Sequence, residues 1–135
     1  IGIPGVIGQY DARLSRELLE GGEVLVLAGG TGNPFFTTDT AAVLRAKELG
    51  ADAVFKATKV DYVYDRDPLK DGSAKAFRTL TFKEVINRGL MVMDLTAITL
   101  AMELRLPICV FNFSRPGNLI KAANGEEIGT FIWEV

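Results

Sequence analysis

Side chains suited to binding a phosphate are concentrated in one short stretch, GGTGNPFFTTDTAA, at residues 29–42. Its three glycines lack a Cβ, so the backbone can approach a ligand closely there. The threonine hydroxyls and the Asn33 amide supply donors and acceptors, and Asp39 supplies a carboxylate able to hold Mg²⁺ or orient a cationic side chain. Backbone N–H groups at a glycine-rich turn that opens a helix form an anion site. The stretch therefore predicts an anion site with groups able to read a base or a sugar.

A second interpretation of this stretch needs no ligand. Thr38 or Asp39 then only caps the following helix, and Phe35 and Phe36 close the hydrophobic core. The local pattern leaves both interpretations open, because short motifs also arise by chance. It does exclude a P-loop, which ends in Gly-Lys-Ser/Thr, and the dinucleotide fingerprint, whose third glycine is missing.

Another polar cluster, KATKVDYVYDRDP, occupies residues 56–68. Its lysines suit phosphates, its tyrosines suit stacking on a purine ring, and its aspartates suit a sugar or a metal. The alternative is a solvated turn whose charges neutralise one another. The candidates are Lys56 or Lys59 for phosphates, Tyr62 or Tyr64 for a purine, and Asp67 for a sugar or metal.

Apolar runs and capping residues predict the elements that position these loops. Strands are predicted at 5–9, 23–28, 52–58, 107–112 and 130–134. Helices are predicted at 11–20, from Thr38 or Asp39 to Gly50, 81–87, 95–105 and 116–123. Continuous apolar strands that alternate with helices indicate a parallel sheet covered by helices on both faces. Ligands bind beyond the carboxyl ends of strands in such sheets, which is where both polar clusters lie.

Several helix boundaries have specific sequence signals. Asp11 and Asp94 are predicted N-caps, Thr81 and Glu84 fit a capping box, and Pro116 suits a helix opening. Residues 21–22, a glycine pair, are expected to end the first helix. The core candidates of the helix at 95–105 are Leu95, Ile98, Leu100, Ala101 and Leu104.

Composition limits the class of protein. The chain has 135 residues, of which 48 % are hydrophobic and 24 % charged, so it can form one domain or a large part of one. A net charge of −2 argues against a general nucleic-acid binder. The single cysteine, Cys109, and the lack of any bilayer-length apolar run or leader predict a soluble protein of the reducing cytoplasm. The absence of histidine removes the commonest general base, and the start at Ile1 suggests a fragment or a processed chain.

The chain resembles bacterial UMP kinases (uridylate kinases) of the amino-acid-kinase superfamily. The resemblance rests on GTGNPFFTTDTAA, KATKVDYVYDRDP, VMDLTA and PICVFN, in this order and spacing, and extends through nearly all 135 residues. GTGNPFFTTD is highly specific to UMP kinases, and the second motif to the wider superfamily. The resemblance implies a three-layer α/β/α sandwich on a mainly parallel sheet, with residues 1–135 forming its carboxyl-terminal, nucleotide-binding half.

The resemblance also implies transfer of the γ-phosphoryl group of Mg·ATP to UMP, giving UDP and ADP in pyrimidine nucleotide biosynthesis. Mg²⁺ would accompany the ATP, and Asp39 would be the carboxylate that organises the catalytic centre. Lys56 is a weaker phosphate candidate. The implied UMP-binding residues are Thr31, Gly32, Asn33, Pro34, Phe35, Phe36, Thr37 and Thr38. The implied ATP-binding residues are Thr58, Tyr64 beside the adenine and Asp67 near the ribose.

Further implications concern assembly and control. The family resemblance implies a homohexamer activated by GTP and inhibited by UTP. Composition and charge predict a cytoplasmic protein with neither nucleic acid nor membrane as partner. Two departures stand out: Tyr62 replaces the usual glycine of VDGVY, and the amino-terminal half with its lysine-bearing phosphate loop is missing. We therefore expect little or no kinase activity from this chain alone.

Two other functions are alternatives to this one. The first is a non-catalytic nucleotide-binding or storage module of the same fold, which the missing half motivates. The second is a sibling kinase acting on an acidic amino acid or carbamate. It is disfavoured because NPFFTT offers hydroxyls and aromatic faces rather than cationic groups.

Overall fold

Helices lie on both faces of a four-stranded sheet in the computed structural model, which describes residues 2–134. The helices are α1 (Ala12–Glu20), α2 (Thr38–Leu49), α3 (Phe82–Asn87), α4 (Leu95–Glu103) and α5 (Asn118–Ala123). The strands are β1 (Val54–Thr58), β2 (Val63–Tyr64), β3 (Ala76–Phe77), β4 (Thr79–Thr81), β5 (Ile108–Asn112) and β6 (Thr130–Trp133). None of the helices among these residues has the length and apolarity needed to cross a membrane.

The sheet has the strand order β1-β5-β6-β4, and β2 and β3 form a separate antiparallel hairpin. β1 and β5 are parallel, as are β4 and β6, whereas β5 and β6 are antiparallel. The mainly parallel α/β fold is therefore confirmed, with one antiparallel joint that apolar runs alone do not reveal. Thr58 lies opposite Asn112, so β1 and β5 end at the same edge of the sheet.

The core explains why residues 108–111 of β5 are all apolar. Ile108 and Val110 pack with buried residues of α2, α3 and α4 on one face. Cys109 and Phe111 pack with Ala122 of α5 on the other face. Successive strand residues point to opposite faces, so a strand covered on both sides has no polar position. The three-layer sandwich predicted from this pattern is confirmed.

Most capping predictions are confirmed. The side chains of Asp11 and Asp94 cap α1 and α4, and Thr81 and Glu84 form the expected capping box of α3. The last helix begins after Gly117 rather than at Pro116. Leu95 is wrong as a core residue, because it is 64 % exposed in the first turn of α4.

Two predicted strands are wrong. Residues 4–6 form a turn closed by a single bridge between Ile3 and Ile7, and residues 23–28 are not assigned to any strand. Val24 and Val26 are 90 % and 88 % exposed. A strand needs a neighbour for its backbone N–H and C=O groups, and no strand among residues 2–134 pairs with this run. The run instead borders an apolar groove of about 980 Å³ between α1 and α2.

Gly129 provides a test of how closely β6 approaches β5. It has φ +71°, and a Cβ built there would lie 2.0 Å from the carbonyl oxygen of Val110. We expect Gly129→Ala to lower the free energy of unfolding by about 3 kcal/mol or more, from steric overlap added to left-handed strain. Gly125→Ala is the matched control, since Gly125 has φ +75° with nothing within 4 Å, and should cost only about 1 kcal/mol. Urea unfolding measures both, and equal losses would contradict the close approach.

Candidate functional site

The loop before α2 is held in a backbone conformation that few residues tolerate. Gly29, Gly30 and Gly32 have φ angles of 90°, 62° and 74°, and Phe35 has φ 69°. A left-handed phenylalanine is strained because its Cβ crowds the backbone. Phe35 is fully exposed and Phe36 is 52 % exposed, so neither closes the core. That part of the ligand-free interpretation is wrong, and the exposed aromatic rings are available to a ligand.

Thr37 is the N-cap of α2, so the prediction of Thr38 or Asp39 as the cap is wrong. The Thr37 hydroxyl accepts from the backbone N–H groups of Asp39 (3.1 Å) and Thr40 (3.3 Å). A cap residue has extended backbone and sits one position before the first helical residue, which here is Thr38. Because Thr37 caps the helix, the Asp39 carboxylate is free to make another contact.

That contact is with Lys56 of β1. The Lys56 Nζ lies 2.5 Å from Asp39 Oδ1, and the two side chains are 28 % and 23 % exposed. Lys56 projects from the same face of β1 as Val54, which packs against the α2 side of the sheet. The structure thus brings the predicted catalytic carboxylate together with a predicted phosphate candidate. Their positions beside the positive end of α2 suit the binding and orientation of an anion.

Asp94 also belongs to this site, although the sequence indicated only a helix cap. Its carboxylate accepts from the hydroxyl of Thr37, from that of Thr40 at 3.4 Å and from the Ala97 N–H at 3.1 Å. One carboxylate therefore joins the first turns of α2 and α4. Burial acts to raise the pKa of Asp94, but hydrogen bonds from Thr37, Ala97, Thr96 and Thr40 outweigh it and hold the pKa below its usual value.

A cavity of about 550 Å³ opens beside these carboxylates. Asp39 and Asp94 contribute to its wall, and the rest comes from α3, the segment 89–93 and α4. Most of that lining is apolar, including Val85, Leu90 and Ile98. The two carboxylates place negative charge at the edge of an apolar cavity, where water screens that charge only weakly.

The second polar cluster lies at the end of β1 and is fixed by contacts with the end of β5. The Thr58 hydroxyl bonds with the Val60 main chain and the Phe111 carbonyl, which closes a tight turn. Asn112 donates to the Asp61 carboxylate at 3.0 Å, and Arg115 lies 2.5 Å from the same side chain. These partners were not among the predicted site residues. The rule that loops at one sheet edge meet would have pointed to Asn112.

The other two residues that the resemblance assigns to ATP binding lie on the β2–β3 hairpin. Tyr64 is in β2, and Asp67 is in the connecting loop, where it accepts from Leu69 N–H at 2.9 Å and lies 3.6 Å from Lys70 Nζ. No hydrogen bond within residues 2–134 joins Asp67 to Tyr64 or Thr58. Across the described part of the chain, no group of three or more His, Cys, Asp or Glu is arranged to hold a metal ion.

Comparison with known proteins identifies the family. The sequence profile of the Amino acid kinase family matches residues 2–112. The chain belongs to the amino acid kinase family. It is 52 % identical over 134 residues to the uridylate kinase of Pseudomonas paraeruginosa, covering 99 % of this chain and 55 % of that protein.

Solved structures of amino acid kinase relatives agree with the fold. The UMP kinase from Bacillus anthracis matches with a TM-score of 0.95 at 37 % identity, over 98 % of this chain and 55 % of that one. The UMP kinase from Ureaplasma parvum matches with a TM-score of 0.91 at 29 % identity, over 99 % and 57 %. The chain therefore spans about half the length of these relatives.

The Asp94 carboxylate gives a prediction about pH. Its depressed pKa means that it stabilises the fold fully above the ordinary value near 3.8, and that this contribution is lost as the pH falls below it. We expect Asp94→Asn to lower the free energy of unfolding at pH 7 by about 1–2 kcal/mol. The difference in the free energy of unfolding between Asp94→Asn and the wild type should shrink as the pH falls from about 4 towards 3.

Urea unfolding between about pH 3 and pH 7 measures this difference. Asp11→Asn is the control, because the Asp11 carboxylate caps α1 through Leu14 N–H alone. A gap between wild type and Asp94→Asn that stays constant over the whole range would contradict the role given to the charged carboxylate.

Proposed function

We propose that this chain is the carboxyl-terminal, nucleotide-binding half of a UMP kinase. The reaction is transfer of the γ-phosphoryl group from Mg·ATP to UMP, giving UDP and ADP in pyrimidine nucleotide biosynthesis. The observation that carries the proposal is the Asp39–Lys56 pair beside the capped start of α2. Its chemistry fits phosphoryl transfer, and the relatives that match almost the whole chain are named uridylate kinase or UMP kinase.

The loop at residues 31–38 is assigned to binding UMP, the acceptor of the phosphoryl group. Thr31 and Asn33 would contact the nucleoside, and the hydroxyls and N–H groups at the start of α2 would contact its phosphate. Exposed aromatic faces at Phe35 and Phe36 suit a pyrimidine ring. The left-handed backbone and full exposure of Phe35 support the assignment.

Lys56 and Asp39 would act on the phosphoryl group during its transfer. Phosphoryl transfer needs positioning and positive charge more than a strong base, so a site without histidine suffices. Lys56 would neutralise negative charge on the transferred group, while Asp39 fixes the position of the Lys56 ammonium. Mg²⁺ would enter with ATP as part of that substrate, and Tyr64, Thr58 and Asp67 would hold the donor.

The proposal extends to assembly and location. A cytoplasmic homohexamer with GTP as activator and UTP as inhibitor follows from the family resemblance. The chain lacks a counterpart of the lysine-bearing phosphate loop, so we expect kinase activity only when residues 1–135 are part of the longer polypeptide. A non-catalytic nucleotide-binding or storage module is the second candidate, and the same loop would serve it.

Asp39→Asn separates these candidates. In the intact gene product that contains this chain, we expect UDP formation from UMP and Mg·ATP to fall at least about 100-fold, because Lys56 loses its charged partner. UMP affinity, measured by calorimetry, should change much less. Coupled release of ADP and chromatographic detection of UDP measure the rate.

Asp52→Asn is the matched control, since Asp52 is exposed and precedes β1 outside the site. Phosphorylation of glutamate, aspartate or carbamate instead of UMP by the wild type would overturn the assignment. Binding of both nucleotides without turnover by the intact product would favour the storage module.

A further inference from the structure

Two tyrosines and an arginine form a cluster on one face of the β2–β3 hairpin. Tyr62, in the bend before β2, and Tyr64, in β2, lie on either side of Val63 in the chain, and Val63 is buried in the core. Their ring centroids are 6.4 Å apart at an angle of 73°. The guanidinium of Arg78 lies 4.7 Å from the centroid of the Tyr62 ring. Tyr62 therefore has one aromatic partner, Tyr64, and one cationic partner, Arg78.

The backbone on both sides of Tyr62 is anchored. Before it, the Asp61 carboxylate is held by Asn112 and Arg115. After it, the Val63 N–H donates to the hydroxyl of Thr130 at 2.8 Å, and Thr130 is fully buried. These contacts come from β5, from the turn after it and from β6, so the sheet fixes the chain on both sides of Tyr62.

Tyr62 adopts this position without a glycine-like backbone. Among residues 2–134, Phe35 and Arg105 are the non-glycine residues with positive φ. Tyr62 therefore fits the turn without left-handed strain, although the family that this chain resembles usually has glycine at this position. The ring adds contacts that a glycine cannot make.

We propose that Tyr62, supported by Arg78, is a positioning residue that fixes the Tyr64 ring against the purine of the donor nucleotide. This inference rests on the proposed function, which places Tyr64 beside the adenine. Ala76, the cross-strand partner of Tyr64, has only a methyl group, so Tyr62 is the aromatic contact that holds Tyr64 on this face. A ring that is already ordered loses less entropy when a base stacks on it.

A purely structural role for the cluster predicts a different result. An aromatic pair that only stabilises the hairpin changes the unfolding temperature and leaves the choice of nucleotide alone. A positioning role changes the affinity for the donor relative to the acceptor. It also changes the preference for a purine over a smaller pyrimidine donor, because the larger ring stacks over more area.

Tyr62→Ala in the intact gene product tests the inference. We expect KM for ATP to rise about fivefold with KM for UMP nearly unchanged, and the preference for ATP over CTP in kcat/KM to fall by a similar factor. Tyr62→Phe should restore most of the affinity, since the Tyr62 hydroxyl makes no hydrogen bond with the rest of residues 2–134. Steady-state kinetics with each substrate varied in turn measures these constants.

Arg78→Gln is a second variant that leaves both rings in place. We expect it to raise KM for ATP about twofold, because it removes the cation above Tyr62. Arg88→Gln is its matched control, since Arg88 lies 5.3 Å from the ring of Phe77, which packs against the core on the opposite face. Thermal unfolding of all four variants reports any general loss of structure.

The outcomes are distinct. Equal shifts in KM for ATP and UMP, or no shift in an active Tyr62→Ala enzyme, would overturn the positioning role and leave the proposed function intact. If the intact wild-type protein makes no UDP from UMP and ATP, the proposed function is overturned, and this inference with it.

Discussion

The contact between Asp94 and Thr37 determines the geometry of the whole candidate site. Two helices begin at this point, and the positive ends of their dipoles would repel each other without a shared negative group. The Asp94 carboxylate accepts from the first turns of both α2 and α4. This bond orients the Thr37 hydroxyl, which then caps α2 and leaves Asp39 to pair with Lys56. A single half-buried carboxylate thus fixes the start of α2, the helix that carries Asp39.

Parallel pairing of β1 with β5 supplies the second constraint. Because Thr58 lies opposite Asn112, the turns after both strands meet at one edge of the sheet. Asp61 and Arg115 then join those turns with an ion pair whose atoms lie 2.5 Å apart. The pair is partly exposed, so its contribution to stability is small, and its main effect is to hold one loop conformation. Lys56 and Thr58, two residues apart on one strand, connect this edge to the Asp39 site.

Local signals predicted local features well. The capping box of Thr81 and Glu84, the cap at Asp94 and the doubly buried β5 follow from residues within a few positions of one another. Partnerships across the chain left no such signal: Thr37 and Asp94 are 57 residues apart, and Asp61 and Arg115 are 54 apart. The strand prediction at 23–28 was wrong for a related reason. Apolar composition predicts burial, but a strand also needs a partner for its backbone, which composition does not supply.

The anchored and the strained parts of the site are suited to different tasks. Asp39, Lys56 and Thr58 are each tied to a helix start or a strand, so they need little rearrangement to act on a ligand. Phe35 is different, because it combines a left-handed backbone with full exposure at the tip of the loop. Strain of this kind persists only where the surrounding chain enforces it. Under the proposed function, the fixed charges position the phosphates, while the exposed loop supplies the surface that adapts to the base.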